Sequence, residues 1–202
     1  MGQVCVATSD GRAYYFMASR LRRMGISFLS ITPSEVELGT PDLILTTKKE
    51  ADLFKGDILI VEDLDDNPVI MKGQLLAHLA DKGNAELLLG IDPGARMGLA
   101  VFYDGAELTS QTFSSRSLLC ETVYELVSRI PCSRSVVRIG DGEPRLSSWL
   151  ALKIHENLPK TTVEIVDESG TSVRNPKYKG LPRDQSAAAR IAFRRGKIRA
   201  AS

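Results

Sequence analysis

The chain has no apolar run approaching the length that spans a bilayer, which excludes a transmembrane helix. It also lacks the basic-then-apolar start of a secretory signal, so a cytoplasmic location and no membrane partner are expected. Cysteine is sparse. Cys5, Cys120 and Cys132 are odd in number, far apart and never in a CxxC pair, so they point to reduced, half-buried thiols rather than a disulfide framework or a zinc site. His78 and His155 stand alone on helical stretches and read as ordinary helix residues. No His-containing motif partners a Ser or Cys nucleophile. The single Trp149 is expected in the core.

What remains is ordinary globular composition over 202 residues, enough for one large domain or two small ones. The net charge of +1 conceals an asymmetry. Residues 1–86 hold 9 basic against 13 acidic side chains, residues 87–173 hold 8 against 11, and residues 174–202 hold 9 against 1. A basic end on an otherwise acidic chain suggests a polyanion partner, and a solvated tail is the plain alternative.

Apolar patterning divides the chain. QVCVAT, ISFLSI, DLILTT and DILIVED read as strands, with helices over Arg12–Gly25 and Met71–Lys82, which predicts a small α/β layer. The turn-like Asp81-Lys82-Gly83-Asn84 places a boundary between residues 1–83, of unassigned role, and residues 84–202. Beyond it, strands are expected at Leu87–Ile91, Gly98–Tyr103 and Glu107–Phe113, the last two joined by a hairpin turn at Asp104-Gly105. A helix over Ser117–Ile130, a strand over Ser135–Ile139, a helix over Arg145–Asn157 and a strand over Thr162–Val166 follow. After the loop Ser169–Leu181, Asp184 opens a helix over Gln185–Arg195 that Gly196 stops. The second part therefore reads as a mixed five-stranded α/β sheet of order βββαβαβα.

Acids fall where such sheets gather ligands, outside the carboxyl ends of strands. Asp92 ends the run LLLGIDPG, Asp141 and Glu143 follow the fourth strand in VVRIGDGEP, and Asp167 and Glu168 follow the fifth in VEIVDESGTS. Each has a plain reading as a turn acid, Asp184 as a helix cap and Glu143 as a first-turn acid. Together, clustered carboxylates need a cation, and hard oxygen ligands suit Mg²⁺ or Mn²⁺. Asp92, Asp141, Asp167 and Asp184 are the candidate metal ligands, and these four with Glu168 the candidate catalytic set. The run DILIVEDLDD reads as solvated acids at a strand exit. Thr46-Thr47-Lys48-Lys49 reads as a turn, with an anion site at a helix N-terminus as the alternative.

GIDPGARMGLAV resembles the first-strand motif of RuvC-type Holliday junction resolvases and their YqgF relatives in the ribonuclease H-like superfamily. VDESGTS, followed by DQSAAARIAF, is similar to the later YqgF pattern. The resemblance covers about residues 87–197 and implies a ribonuclease H-like fold, with Asp92 and Asp184 as metal ligands. Three positions depart from it: Gly140 stands where a strand-end Glu is expected, Ala187 where a second helix Asp is expected, and Ser169 where an Arg follows Asp-Glu. The site therefore uses substitute ligands or is degenerate.

The leading expectation is a metal-dependent endonuclease or resolvase that cleaves a DNA junction or structured RNA by two-metal phosphodiester hydrolysis. The alternative is a non-catalytic nucleic-acid-binding protein with a decayed site. An actin-like ATPase fragment is a third reading, disfavoured by length. In either of the first two, Arg174, Lys177, Lys179, Arg183, Arg190 and Arg194 are expected to grip phosphates. For the first domain, dimerisation, partner binding and substrate positioning all stay open.

Overall fold

A computed structural model describes residues 3–38, 41–80, 84–168 and 182–198. The chain divides into two compact units, Met1–Lys82 and Gly83–Ser202. Both are α/β. Among the described residues no helix is long and apolar enough to cross a membrane.

The first unit is built on four short parallel strands: β1 (Val4–Ala7), β2 (Phe28–Ile31), β3 (Leu43–Thr46) and β4 (Ile58–Ile60), in the spatial order β2-β1-β3-β4. Period-two alternation sorts their side chains. Val4, Val6, Leu43 and Leu45 pack with Met17 and Leu21 of α1 (Gly11–Arg23) and with Met71 and Leu75 of α2 (Pro68–Leu79). Cys5, Ala7 and Ile44 face the other way, onto Phe54. Helix α1 starts at Asp10, whose carboxylate accepts the Arg12 and Ala13 N–H groups. The run DILIVED is a strand only through Ile60, and Val61–Asp63 forms a 3₁₀ turn. Helix α2 begins three residues earlier than apolar spacing suggests. Asn67 accepts the Val69 N–H and Pro68 takes the first helical position, where its missing N–H has no consequence.

The second unit follows the expected order of elements: β5 (Glu86–Asp92), β6 (Met97–Tyr103), β7 (Ala106–Phe113), α3 (Arg116–Arg129), β8 (Arg134–Gly140), α4 (Pro144–Asn157), β9 (Thr162–Val166) and α5 (Arg183–Ala192). A sixth strand, β10 (Lys197–Ile198), corrects the expectation of five. It pairs antiparallel with β9 and is too short to leave a periodic signal. The sheet order is β10-β9-β8-β5-β6-β7, with β5, β8 and β9 parallel and β5-β6-β7 antiparallel. The hairpin turn holds both Asp104 and Gly105 at positive φ, the conformation that matches strand twist.

Both faces of this sheet are covered, which is why its central strands read as unbroken apolar runs. On one face the register aligns Gly90 with Ala100, and Asp92 with Gly98. Here α5 lies almost on the backbone. A Cβ at Gly90 would stand 2.1 Å from the Ala188 carbonyl oxygen, and one at Gly98 would stand 2.1 Å from that of Asp184. The alanines of RDQSAAARIA are the matching surface: Ala188, Ala189 and Ala192 pack among Leu88, Ala100, Phe102 and Val136. On the same face Arg138 donates from Nε to Glu164 at 2.8 Å and from its guanidinium to the Ala192 carbonyl. Glu164 also accepts the Gly196 N–H at 3.1 Å. One buried ion pair thus holds the end of α5 and the entry to β10. Trp149 does not join the core: 37% of its surface is exposed on α4.

Two outcomes follow from this packing. Gly98→Ala should destabilise the protein by roughly 1–3 kcal/mol or more, because the added methyl group meets backbone and the helix must move. Denaturant midpoints report it. Removing one partner of the buried pair, as in Arg138→Met, should cost about 3–5 kcal/mol, whereas Arg138→Met with Glu164→Leu should recover most of that loss. A double mutant no better than the single would show that the Ala192 and Gly196 contacts carry the effect instead.

Candidate functional site

Because β5, β8 and β9 are parallel, their carboxyl ends lie on one edge of the second sheet. Ile91 pairs with Ile139 and Gly140 with Val166, so Asp92, Gly140 and the Asp167-Glu168 step reach this edge together. Helix α5 adds Asp184. The seat of Asp184 against Gly98 fixes where its turn sits. Asp184 is not the cap of that helix: Pro182 holds the cap position and Asp184 lies inside the first turn. Its Oδ2 is 3.7 Å from Nε of Arg96, in the loop between β5 and β6.

Gly140 explains the place of Glu168. A Cβ at Gly140 would lie 1.9 Å from Glu168 Oε1, so the space a side chain would fill at the end of β8 holds a carboxylate from the end of β9. The Gly142 N–H donates to that same Oε1 at 3.1 Å. Asp141 does the complementary job. Its Oδ1 accepts the Glu168 N–H at 2.9 Å, and its own N–H donates to the Val166 carbonyl. The side chain of Asp141 is therefore engaged in shaping the β9 exit. Asp167 is exposed, and its carbonyl accepts from the Arg194 guanidinium at 2.9 Å.

The electrostatic centre is Asp92. Burial, then Glu168, then Asp184 push its carboxyl up to about 7, against the opposing pull of Arg190 and Arg183. Two carboxylates thus act on a third, Glu168 from a strand end and Asp184 from a helix. Among the described residues, no group of three or more His, Cys, Asp or Glu side chains stands ready to enclose a metal ion.

The basic residues separate. Arg183, exposed at the first position of α5, and Arg190, on the same helix, both act on Asp92. Arg194 lies beyond the helix end, where it serves the Asp167 carbonyl, so the helix expected over Gln185–Arg195 stops short of it. Arg174, Lys177 and Lys179 lie outside the described residues. Sequence reasoning missed Arg96, and it missed Gly90, Gly98 and Gly140 as the open positions that admit α5 and Glu168. The signal available was the recurrence of glycine and alanine on one face of the strands and in AAAR.

An acid whose pKa is higher in the folded state loses stability on ionising. The Asp92 contribution is complete below the ordinary value of 3.8 and is lost as pH rises through about 7. Asp92→Asn, which cannot ionise, should therefore melt above the wild type near pH 8 in chelator, and the gap should narrow toward pH 5. Melting curves across that range give the answer. A pH-independent gap would place the effect elsewhere.

No family model matches the chain, and no curated protein matches it. Among solved structures, a DegV family protein, Cg2579 from Corynebacterium glutamicum, aligns over 85% of this chain and 91% of its own, at 13% identity and a TM-score of 0.30. A likeness at that level transfers nothing to this chain. The expectation of a RuvC-type or YqgF-like nuclease of the ribonuclease H-like superfamily is corrected: no family model or curated protein supports it, nor a hydrolase or a Holliday junction resolvase. The geometry gives a physical reason. Asp141 is committed to a backbone clamp, and Ala187 leaves α5 with a single acid. The alternative of a decayed nuclease site is withdrawn with it, because DPG closing a strand is also ordinary turn chemistry.

Proposed function

We propose that the second unit binds a divalent cation, Mg²⁺ or Mn²⁺, through Asp92 with Glu168 or Asp184. The observation that supports this reading is the burial of Asp92 and its crowding by Glu168 and Asp184, which disfavour its ionised form unless positive charge joins it. The donors are all carboxylate oxygens, the chemistry that hard cations take. Mg²⁺ commonly rests on one or two carboxylates and keeps several waters, so an enclosing group of three side chains is not required. Asp141 and Asp167 are left out of this ligand set.

The partner we infer is a phosphate-bearing polyanion, nucleic acid being the form with the densest charge. Arg183 and Arg190 flank the carboxylates, and the segment from Arg174 onward carries the chain's excess of positive charge. A cation beside them would remove the repulsion that the carboxylates present to phosphate. Binding is the activity proposed, without bond cleavage.

Titration calorimetry with Mg²⁺ or Mn²⁺ at about millimolar levels should show one saturable event and a raised melting temperature, since a ligand of the folded state stabilises by mass action. Asp92→Asn should abolish both. With the cation present, log affinity for a DNA or RNA duplex should fall with log salt by about 0.9 per phosphate contacted, and Arg183→Ala should flatten that slope by about one unit. Absence of cation binding would end this reading.

A further inference from the structure

We propose that the first unit binds a phosphate group at the carboxyl ends of β1 and β3, in a cradle that Glu50 fills with its own carboxylate. This is a site separate from the carboxylate cluster and independent of it. Glu50 Oε1 accepts the Ser9 N–H at 2.8 Å and the Ser9 hydroxyl at 2.5 Å, and its Oε2 accepts the Thr47 hydroxyl at 2.8 Å and the Thr8 hydroxyl. Four donors thus converge on one side-chain anion. Burial alone would raise the pKa of Glu50, but these donors outweigh it and hold it at about 2. The surroundings are built for negative charge.

The location is a second, independent pointer. In the order β2-β1-β3-β4 the chain leaves β1 through α1 to reach β2 on one side, while β3 and β4 lie on the other. The crevice between the carboxyl ends of β1 and β3 is the topological switch point, where open parallel α/β sheets take their ligands. Thr8 and Ser9 follow β1, and Thr46 ends β3 with Thr47 next to it. The Thr46 hydroxyl is fully buried with no hydrogen-bond partner among the described residues. A carboxylate offers two oxygens, whereas a phosphate monoester offers three and more charge. Lys48 and Lys49, both exposed, add positive charge at the same strand end. Glu50 therefore acts as an internal competitor, and a phosphate-bearing small molecule is the ligand it stands in for.

The test uses the full chain, isotopically labelled, with inorganic phosphate as the probe and the Ser9 amide resonance as the reporter. Glu50→Ala should bind phosphate saturably and shift that resonance, at least tenfold tighter than the wild type, because the tethered competitor is gone. Adding Thr47→Val should weaken the binding at least tenfold. Should Glu50→Ala fail to fold, Glu50→Gln, which keeps the shape and an acceptor oxygen but loses the charge, is read in the same way. No saturable shift of Ser9 in a folded variant overturns the proposal and leaves Glu50 as a clasp between two loops. Binding that ignores Thr47→Val overturns it equally.

Discussion

The second unit depends on the approach of one helix to a sheet. Helix α5 sits so close to β5 and β6 that no side chain fits at Gly90 or Gly98. Close packing of this kind tolerates almost no added volume, so the helix has one seat. Everything at the carboxyl edge follows from it. The backbone of Asp184 is fixed over Gly98, Arg183 and Arg190 come within electrostatic range of Asp92, and Ala192 reaches the Arg138 guanidinium.

That arrangement creates an electrostatic problem as it solves a packing one. Asp92 lies on the covered face and shares its surroundings with Glu168 and Asp184, so its ionised form is disfavoured by both burial and repulsion. The arginines of α5 offset part of this, and Arg96 lies near Asp184. Protonation of Asp92 relieves it without displacing the helix. The first unit shows the opposite condition: Glu50 meets four donors and is held ionised far below the usual carboxylate range. Two carboxylates in one chain, Asp92 at the end of β5 and Glu50 in the loop after β3, thus have opposite environments, one short of positive charge and one abundantly hydrogen-bonded.

The path of the chain was legible wherever side chains had to alternate or repeat. Apolar runs placed β1, β3, β5, β6, β8 and β9 within a residue or two, because strands covered on both faces leave little room for polar residues. Asp104-Gly105 declared the hairpin through its backbone conformation. Less was legible where a few residues decide locally. The start of α2 rests on Asn67 and Pro68 rather than on apolar spacing, β10 is two residues long, and Val61–Asp63 tightens into a 3₁₀ turn inside what reads as a strand.

The candidate site divides in the same way. Sequence by itself determined that Asp92, Asp141, Asp167 and Glu168 follow strands and that Asp184 begins a helix, since strand ends and helix starts are local properties. Tertiary structure alone decided which of them interact. Period-two register turns Asp92 onto the face that α5 covers, whereas Asp167 lies at an exposed position beyond β9. The absence of a side chain at Gly140 lets Glu168 cross to the end of a neighbouring strand, and the backbone it shares with Asp141 binds that acid into a clamp. A glycine reads in one dimension as a turn or a break. Only in the fold does it become the volume into which another residue's charge is placed.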